Sequence, residues 1–163
     1  MSLLGICEQI DATSFSTAIR ESVWLFPILE TLHLLGIGVS AGTILFVDLR
    51  LLGIGMKRAR LSDVLDQLQP WTLTAFAVMV VTGTLLFLSE SVKCYHSVFF
   101  RVKVAMLLGA AVNAALFHWK VYPGVAAWDD SPRIPARARL AGGVSLTLWV
   151  GIIAMGRAIA YGR

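Results

Sequence analysis

Charge is scarce in this chain. Of its 163 residues, 15% are Asp, Glu, Lys or Arg, against roughly 25% in an ordinary soluble domain. The composition is 57% apolar and the mean hydropathy is +0.75, which excludes a water-soluble globule. Only two cysteines and three histidines are present, and none is spaced to complete a compact zinc or copper site. No basic cluster is interleaved with stacking aromatics, so the net charge of +4 does not mark a nucleic-acid binder. Low-complexity segments and a repeat period are absent too. Residues 1–20 lack a basic n-region and carry Glu8, Asp11 and several hydroxyls before any long apolar run, so they are not expected to be a signal peptide.

Long apolar runs dominate what is there. A bilayer span needs about 20 mostly apolar residues, and hydropathy picks out four, at about 22–53, 71–91, 99–122 and 139–161. The expected fold is all-α: one integral-membrane four-helix bundle with a short N-terminal interfacial helix at about 3–20. Leu3, Ile6, Cys7, Ile10, Phe15 and Ile19 form a loosely helical stripe there, suited to a helix lying in the membrane plane. Pro27 falls early in the first span, where a missing N–H does least harm. The first connection, 54–69, is expected to hold a short surface helix capped by Ser62. Pro70 then starts the second span at the favoured first-turn position, with Trp71 as an interfacial anchor. The third connection, with Pro123, Pro132 and Pro135, is expected to be an irregular loop.

Loop charge gives an orientation. The first and third connections and adjoining helix ends carry Arg50, Lys57, Arg58, Arg60, Lys120, Arg133, Arg137 and Arg139; the opposite side carries Arg20, Lys93, Arg101, Lys103, Arg157 and Arg163. Eight against six favours both termini on the periplasmic side of a bacterial inner membrane. Cys7 and Cys94 then share the oxidising side, where they either pair or remain two unpaired thiols.

The first span is interrupted by Glu30, His33, Asp48 and Arg50. An ionisable group at membrane depth costs about 3 kcal/mol or more and marks a functional-site hypothesis. At 100° per residue Glu30, His33, Ile37, Ala41, Ile44 and Asp48 share one face. Gly36, Ser40 and Thr43 lie on the adjoining stripe, where small residues let another helix approach. Spans one and three run the same way, and His33 to Asp48 and Lys103 to His118 are each 15 residues, or about 22 Å. The expectation is an outer layer of Glu30, His33, Glu90 and Lys103 and an inner layer of Asp48, Arg50, Trp71 and His118. His33 and His118 cannot then be opposing ligands of one metal.

A neutral imidazole is a good ligand for haem iron, and bundle interiors commonly hold such sites. His33 is the expected iron ligand. Lys103 would be the second axial ligand if deprotonated, or would meet a propionate, as would Arg20 or Arg101. Glu30 would orient or protonate the imidazole, Glu90 would relay protons, and His118 is either a satisfied interfacial histidine or a ligand for a second cofactor. Two other readings stay open: a structural network in which these groups neutralise one another, and a proton or ion pathway. His96 is expected to be a solvated loop residue. Small-residue pairs such as Gly142-Gly143, with Gly151, permit close contact in the fourth span, within the chain or in a homo- or hetero-oligomer.

The segments IRESVWLFPILETLHLLGIG, VDLRLLG, PWTLTAFAVMVVTGTLLF and FFRVKVAMLLGAAVNAALFH together resemble a family of small bacterial four-helix membrane proteins known only as domains of unknown function. Leu32-His33, Thr82-Gly83 and Val102-Lys103 resemble HemJ-type protoporphyrinogen oxidases and CopD-like membrane domains more loosely. In the HemJ type a histidine and a lysine at the corresponding places are implicated in haem b binding. That resemblance implies such roles for His33 and Lys103 alone. The expected function is a haem b-binding, cytochrome-like protein passing electrons to or from a quinone or a partner redox protein within membrane lipid. The alternatives are a non-catalytic membrane anchor or assembly subunit, and a porphyrinogen-oxidising enzyme.

Overall fold

The computed structural model describes residues 2–56, 59–129, 131 and 133–161. Lys57, Arg58 and Arg163 of the charge count, and Pro132 of the third connection, lie outside the described residues. Described residues form helices and turns without a strand. Four helical stretches are long and apolar enough to cross a membrane, as expected: Leu25–Leu52, Leu61–Ser89, Val98–Ala127 and Ala136–Tyr161.

The N-terminal helix is two helices, α1 (Leu3–Asp11) and α2 (Ser14–Arg20). Thr13 breaks the run because its hydroxyl accepts the Ser16 N–H at 3.2 Å and so starts a new helix. In α3 (Leu25–Leu52), Pro27 sits in the first turn, and the helix ends at Gly53, whose φ of +74° supplies the left-handed cap.

The first connection differs from expectation. No separate surface helix forms before the second span; α4 runs unbroken from Leu61 to Ser89 with Pro70 inside it. Proline removes one intrahelical bond, at the exposed and wettable flank of residues 69–71. The helix α5 (Ser91–His96) follows at once, with His96 exposed at its end. The third connection is also more ordered than an irregular loop. After α6 (Val98–Leu116) the chain widens into a π-helical turn, Phe117–Val121, and tightens into a 3-10 segment, Tyr122–Ala127. Then α7 (Ala136–Tyr161) returns.

Helix α3 is the spine, packing along α4 and α7, while α6 packs along α7 and hardly touches α4. Glycines set these approaches. A Cβ on Gly36 would stand 2.8 Å from Met79 Cγ and 3.2 Å from the Ala75 carbonyl; one on Gly142 would stand 2.9 Å from Leu51 Cβ and 3.1 Å from the Asp48 carbonyl. Ser40 is fully buried on the same α3 stripe, and Thr72 of α4 meets Thr43 at 2.7 Å. Met79, Trp149 and Ile152 form the mid-bundle core, and Leu51, Leu61, Leu65, Phe117 and Ala138 form another at the end where α3 finishes.

Helices α1, α2 and α5 cover the other end. The last carbonyls of α4 lack intrahelical partners, and α2 supplies them: Ser16 Oγ donates to Leu88 O and Arg20 Nη1 to Ser89 O, both at 2.9 Å. Arg20 is held in turn by Asp11 at 3.1 Å.

Candidate functional site

His33 projects from α3 toward α4, where its Nδ1 lies 3.0 Å from Thr82 Oγ1. Thr82 has a single hydroxyl hydrogen, and the Val78 carbonyl takes it at 2.7 Å. The hydroxyl oxygen is therefore the acceptor and His33 Nδ1–H the donor. That hydrogen-bond network assigns the tautomer in which Nε2 carries the bare lone pair. The Met79 carbonyl also accepts a hydrogen bond from the ring. Gly83 makes room for it, since a Cβ there would stand 2.9 Å from His33 Cε1.

Lys103 of α6 comes within electrostatic reach of His33, although α3 and α6 scarcely pack against each other. Its amine rests beside Gly156 of α7, 3.5 Å from where a Cβ would be. The side chain is half-buried in a helix of membrane-spanning length, and among the described residues it makes no hydrogen bond or ion pair. Within a bilayer a half-buried cation without a counter-charge would be costly. Phe87 of α4 stacks on Phe100 of α6, centroids 5.5 Å apart and planes 12° apart, one turn beyond Gly83 and one turn before Lys103.

The other members of the expected outer layer stand apart. Glu30 is exposed, one turn before His33, and among the described residues it makes no hydrogen bond or ion pair. Glu90 ends α4 and binds Lys93 through both oxygens at 3.0 Å. Of the arginines considered for a propionate, Arg101 is exposed and Arg20 is engaged by Ser89 and Asp11.

The expected inner layer does not assemble. Asp48 and Arg50 are each 3% exposed, but neither pairs with His118. Ser145 of α7 faces the Asp48 carboxyl, whose Oδ2 has no hydrogen-bond partner. His118 is exposed in the π-helical turn, where Nδ1 donates to Ala114 O at 3.0 Å, and Trp71 is exposed as well. The side chains diverge because His118 turns outward on the π-helical turn while Asp48 turns toward α7.

Arg50 has a different role. Its Nε donates to Ala59 O at 2.7 Å and its Nη2 to Asp129 O at 3.1 Å. The buried Asp129 carboxylate then caps α4 from a distance: it accepts the Leu61 and Ser62 N–H groups and the Ser62 hydroxyl, with Arg60 Nε 3.4 Å away. So Ser62 is not the cap; it lies one residue inside the helix and donates to the residue that is. Burial alone would push the Asp129 carboxyl up, but the Ser62 and Leu61 donors and the Arg60 charge hold it below the usual carboxylate range. The sequence reading missed Asp129. The available signal was Arg60 directly before α4, a residue with no acceptor to cap a helix.

Among the described residues no three His, Cys, Asp or Glu side chains gather as a metal cage. Surface hollows lie along Arg139–Leu148 of α7 and beside Gly53 and Ile134, near the end of α3 remote from His33. No curated protein and no solved structure matches the chain. Residues 19–162 match a family of unknown function (DUF6644), and the chain belongs to that family.

Proposed function

We propose that this protein binds haem b through His33 and acts as a cytochrome-like electron carrier in the bacterial inner membrane, exchanging electrons with a quinone or a partner redox protein. The observation that carries the reading is the Thr82 hydroxyl on His33 Nδ1. It presents a neutral imidazole with Nε2 free, the form and orientation that an outer hydrogen bond gives to a metal-ligating histidine.

The donor set fits such a group. Lys103 offers either a deprotonated amine as second axial ligand or an ammonium to meet a propionate. Its lack of a counter-charge among the described residues favours an anionic or metal-bearing occupant. Gly83 and Gly156 keep space beside both side chains. The loose resemblance to HemJ-type and CopD-like proteins falls on these residues, His33, Thr82, Gly83 and Lys103. When bound, haem would supply one-electron iron chemistry at membrane depth. The chain's own part would be to hold the imidazole by Thr82, to keep Lys103 within electrostatic reach of it, and to exclude water with the Phe87–Phe100 stack. With both carboxylate oxygens accepting from the Lys93 ammonium, Glu90 is a poorer candidate for a relay than the sequence suggests. His118 serves at most a separate site.

The test is to purify the protein in detergent and record oxidised and dithionite-reduced spectra with a pyridine haemochrome count. A Soret band with sharp reduced α and β bands, lost in His33→Ala, is the expected result. Colourless, well-folded protein that stays blank after haem is supplied would overturn the reading and leave the anchor or assembly role. Oxidation of protoporphyrinogen, followed by fluorescence, would identify the enzyme reading instead.

A further inference from the structure

At the end of the bundle that carries His33, two thiols face one interface. Cys7 of α1 and Cys94 of α5 are 9% and 8% exposed, and both are free. Ser91 and Cys94 are one turn apart and so share a face of α5. From that face Ser91 Oγ donates to the Cys7 carbonyl at 2.8 Å, a bond buried between the helices. The two thiols are also within electrostatic reach of each other. Cysteine is a common buried residue, and one thiol here would mean nothing. Two thiols on helices far apart in sequence, both buried where α1 packs on α5 beside the Ser91–Cys7 hydrogen bond, are a candidate dithiol.

We propose that Cys7 and Cys94 form an oxidisable pair whose disulfide fastens α1 to α5 beside the Lys103 end of the bundle. The two S–H bonds break and one S–S bond forms, while two electrons and two protons pass to the disulfide of a thiol oxidant, which leaves as a dithiol. The inference stands apart from the haem reading and needs no cofactor.

Helix α1 controls access to the pair. Burial pushes the Cys94 thiol up to about 11, with the Glu90 charge adding to it and Lys93 and Lys103 opposing. With α1 docked, Cys94 is therefore a protonated thiol and a poor nucleophile at neutral pH. Exchange begins when α1 lifts or before it first docks. Docking rests on a nine-residue amphipathic helix, one buried side-chain hydrogen bond and the Asp11–Arg20 pair, so α1 opens more readily than the spanning helices. Once oxidised, the crosslink closes that route and holds α1 against the bundle.

The experiment uses the full chain in native membranes, treated with diamide or left reduced, quenched with N-ethylmaleimide, denatured and mapped by mass spectrometry. The expected result is a fall from two alkylated thiols to none, with one peptide linking Cys7 to Cys94. Two alkylated thiols after diamide, or a disulfide joining two chains on a non-reducing gel, would overturn the proposal. Cys7→Ser and Cys94→Ser test it independently, each expected to abolish the linked peptide and leave one alkylated thiol. Amide exchange in α1 should be slower in the oxidised than in the reduced wild-type protein; equal rates would refute the fastening of α1.

Discussion

Thr82 fixes which nitrogen of His33 is free. Its oxygen stands 3.0 Å from Nδ1 while its hydrogen is given to Val78 O, four residues back on the same helix. A threonine that bonds back to its own helix is unremarkable in a span; here that bond removes the choice of donor and so sets the imidazole tautomer.

Thr82→Val keeps the shape and removes the acceptor. Haem affinity, measured by titrating haem into protein purified without it, should fall about 10–100-fold, the usual cost of deleting an outer hydrogen bond to a metal ligand. Thr82→Ser should retain most of it. Equal affinities for the valine and wild-type proteins would deny Thr82 this role.

Gly83 has a narrower part. An alanine Cβ would press on His33 Cε1 at 2.9 Å, forcing the ring to move by a few tenths of an ångström. Gly83→Ala should shift the reduced α band and lower haem occupancy. Gly38→Ala, with nothing within 4 Å of the new atom, should leave the spectrum untouched.

The crossing of α3 and α7 depends on Gly142. Alanine there meets Leu51 Cβ at 2.9 Å and the Asp48 carbonyl at 3.1 Å, and a backbone oxygen has little freedom to retreat. Gly142→Ala should destabilise the bundle by about 1–3 kcal/mol, the usual range for overpacking, read as a lower Tm in detergent. Gly42→Ala, which meets nothing within 4 Å, should match wild type or exceed it.

Asp129 ties the two connections at the far end. Asp129→Ala strips the cap of α4 and leaves the buried Leu61 N–H unbonded, at a cost of about 1–3 kcal/mol, and a lower Tm should report it. The pH dependence has a definite sign. The folded carboxyl titrates below its ordinary value of 3.8, so its contribution is complete above that value. It is lost as the pH falls through 3.8 toward the folded pKa. Asp129→Asn should remove this component of acid destabilisation; an unchanged acid limb would rule out the linkage.

Much of this was legible along the chain. Leu25 to Leu52 reads as a span because it is long and mostly apolar, and His33 stands out because imidazole is foreign to such a run. Gly36, Ser40 and Thr43 announced a close helix contact, and α4 supplied it through Met79, Ala75 and Thr72. The first connection misled because Pro70 looks like a helix start. A proline at a wet flank can instead be carried within a longer helix, and Asp129 moved the start back to Leu61.

The sequence by itself determined four apolar helices of membrane-spanning length and the axial spacing of the ionisable groups along them, because hydropathy and a rise of about 1.5 Å per residue are local properties. Facing partners were decided only by tertiary structure. Lys103 lies within electrostatic reach of His33, but Arg50 went to Asp129 and Asp48 to Ser145, leaving His118 outside. Depth is one coordinate; rotation about each helix axis is another, and glycine contacts at Gly36, Gly83 and Gly142 set it from across the bundle.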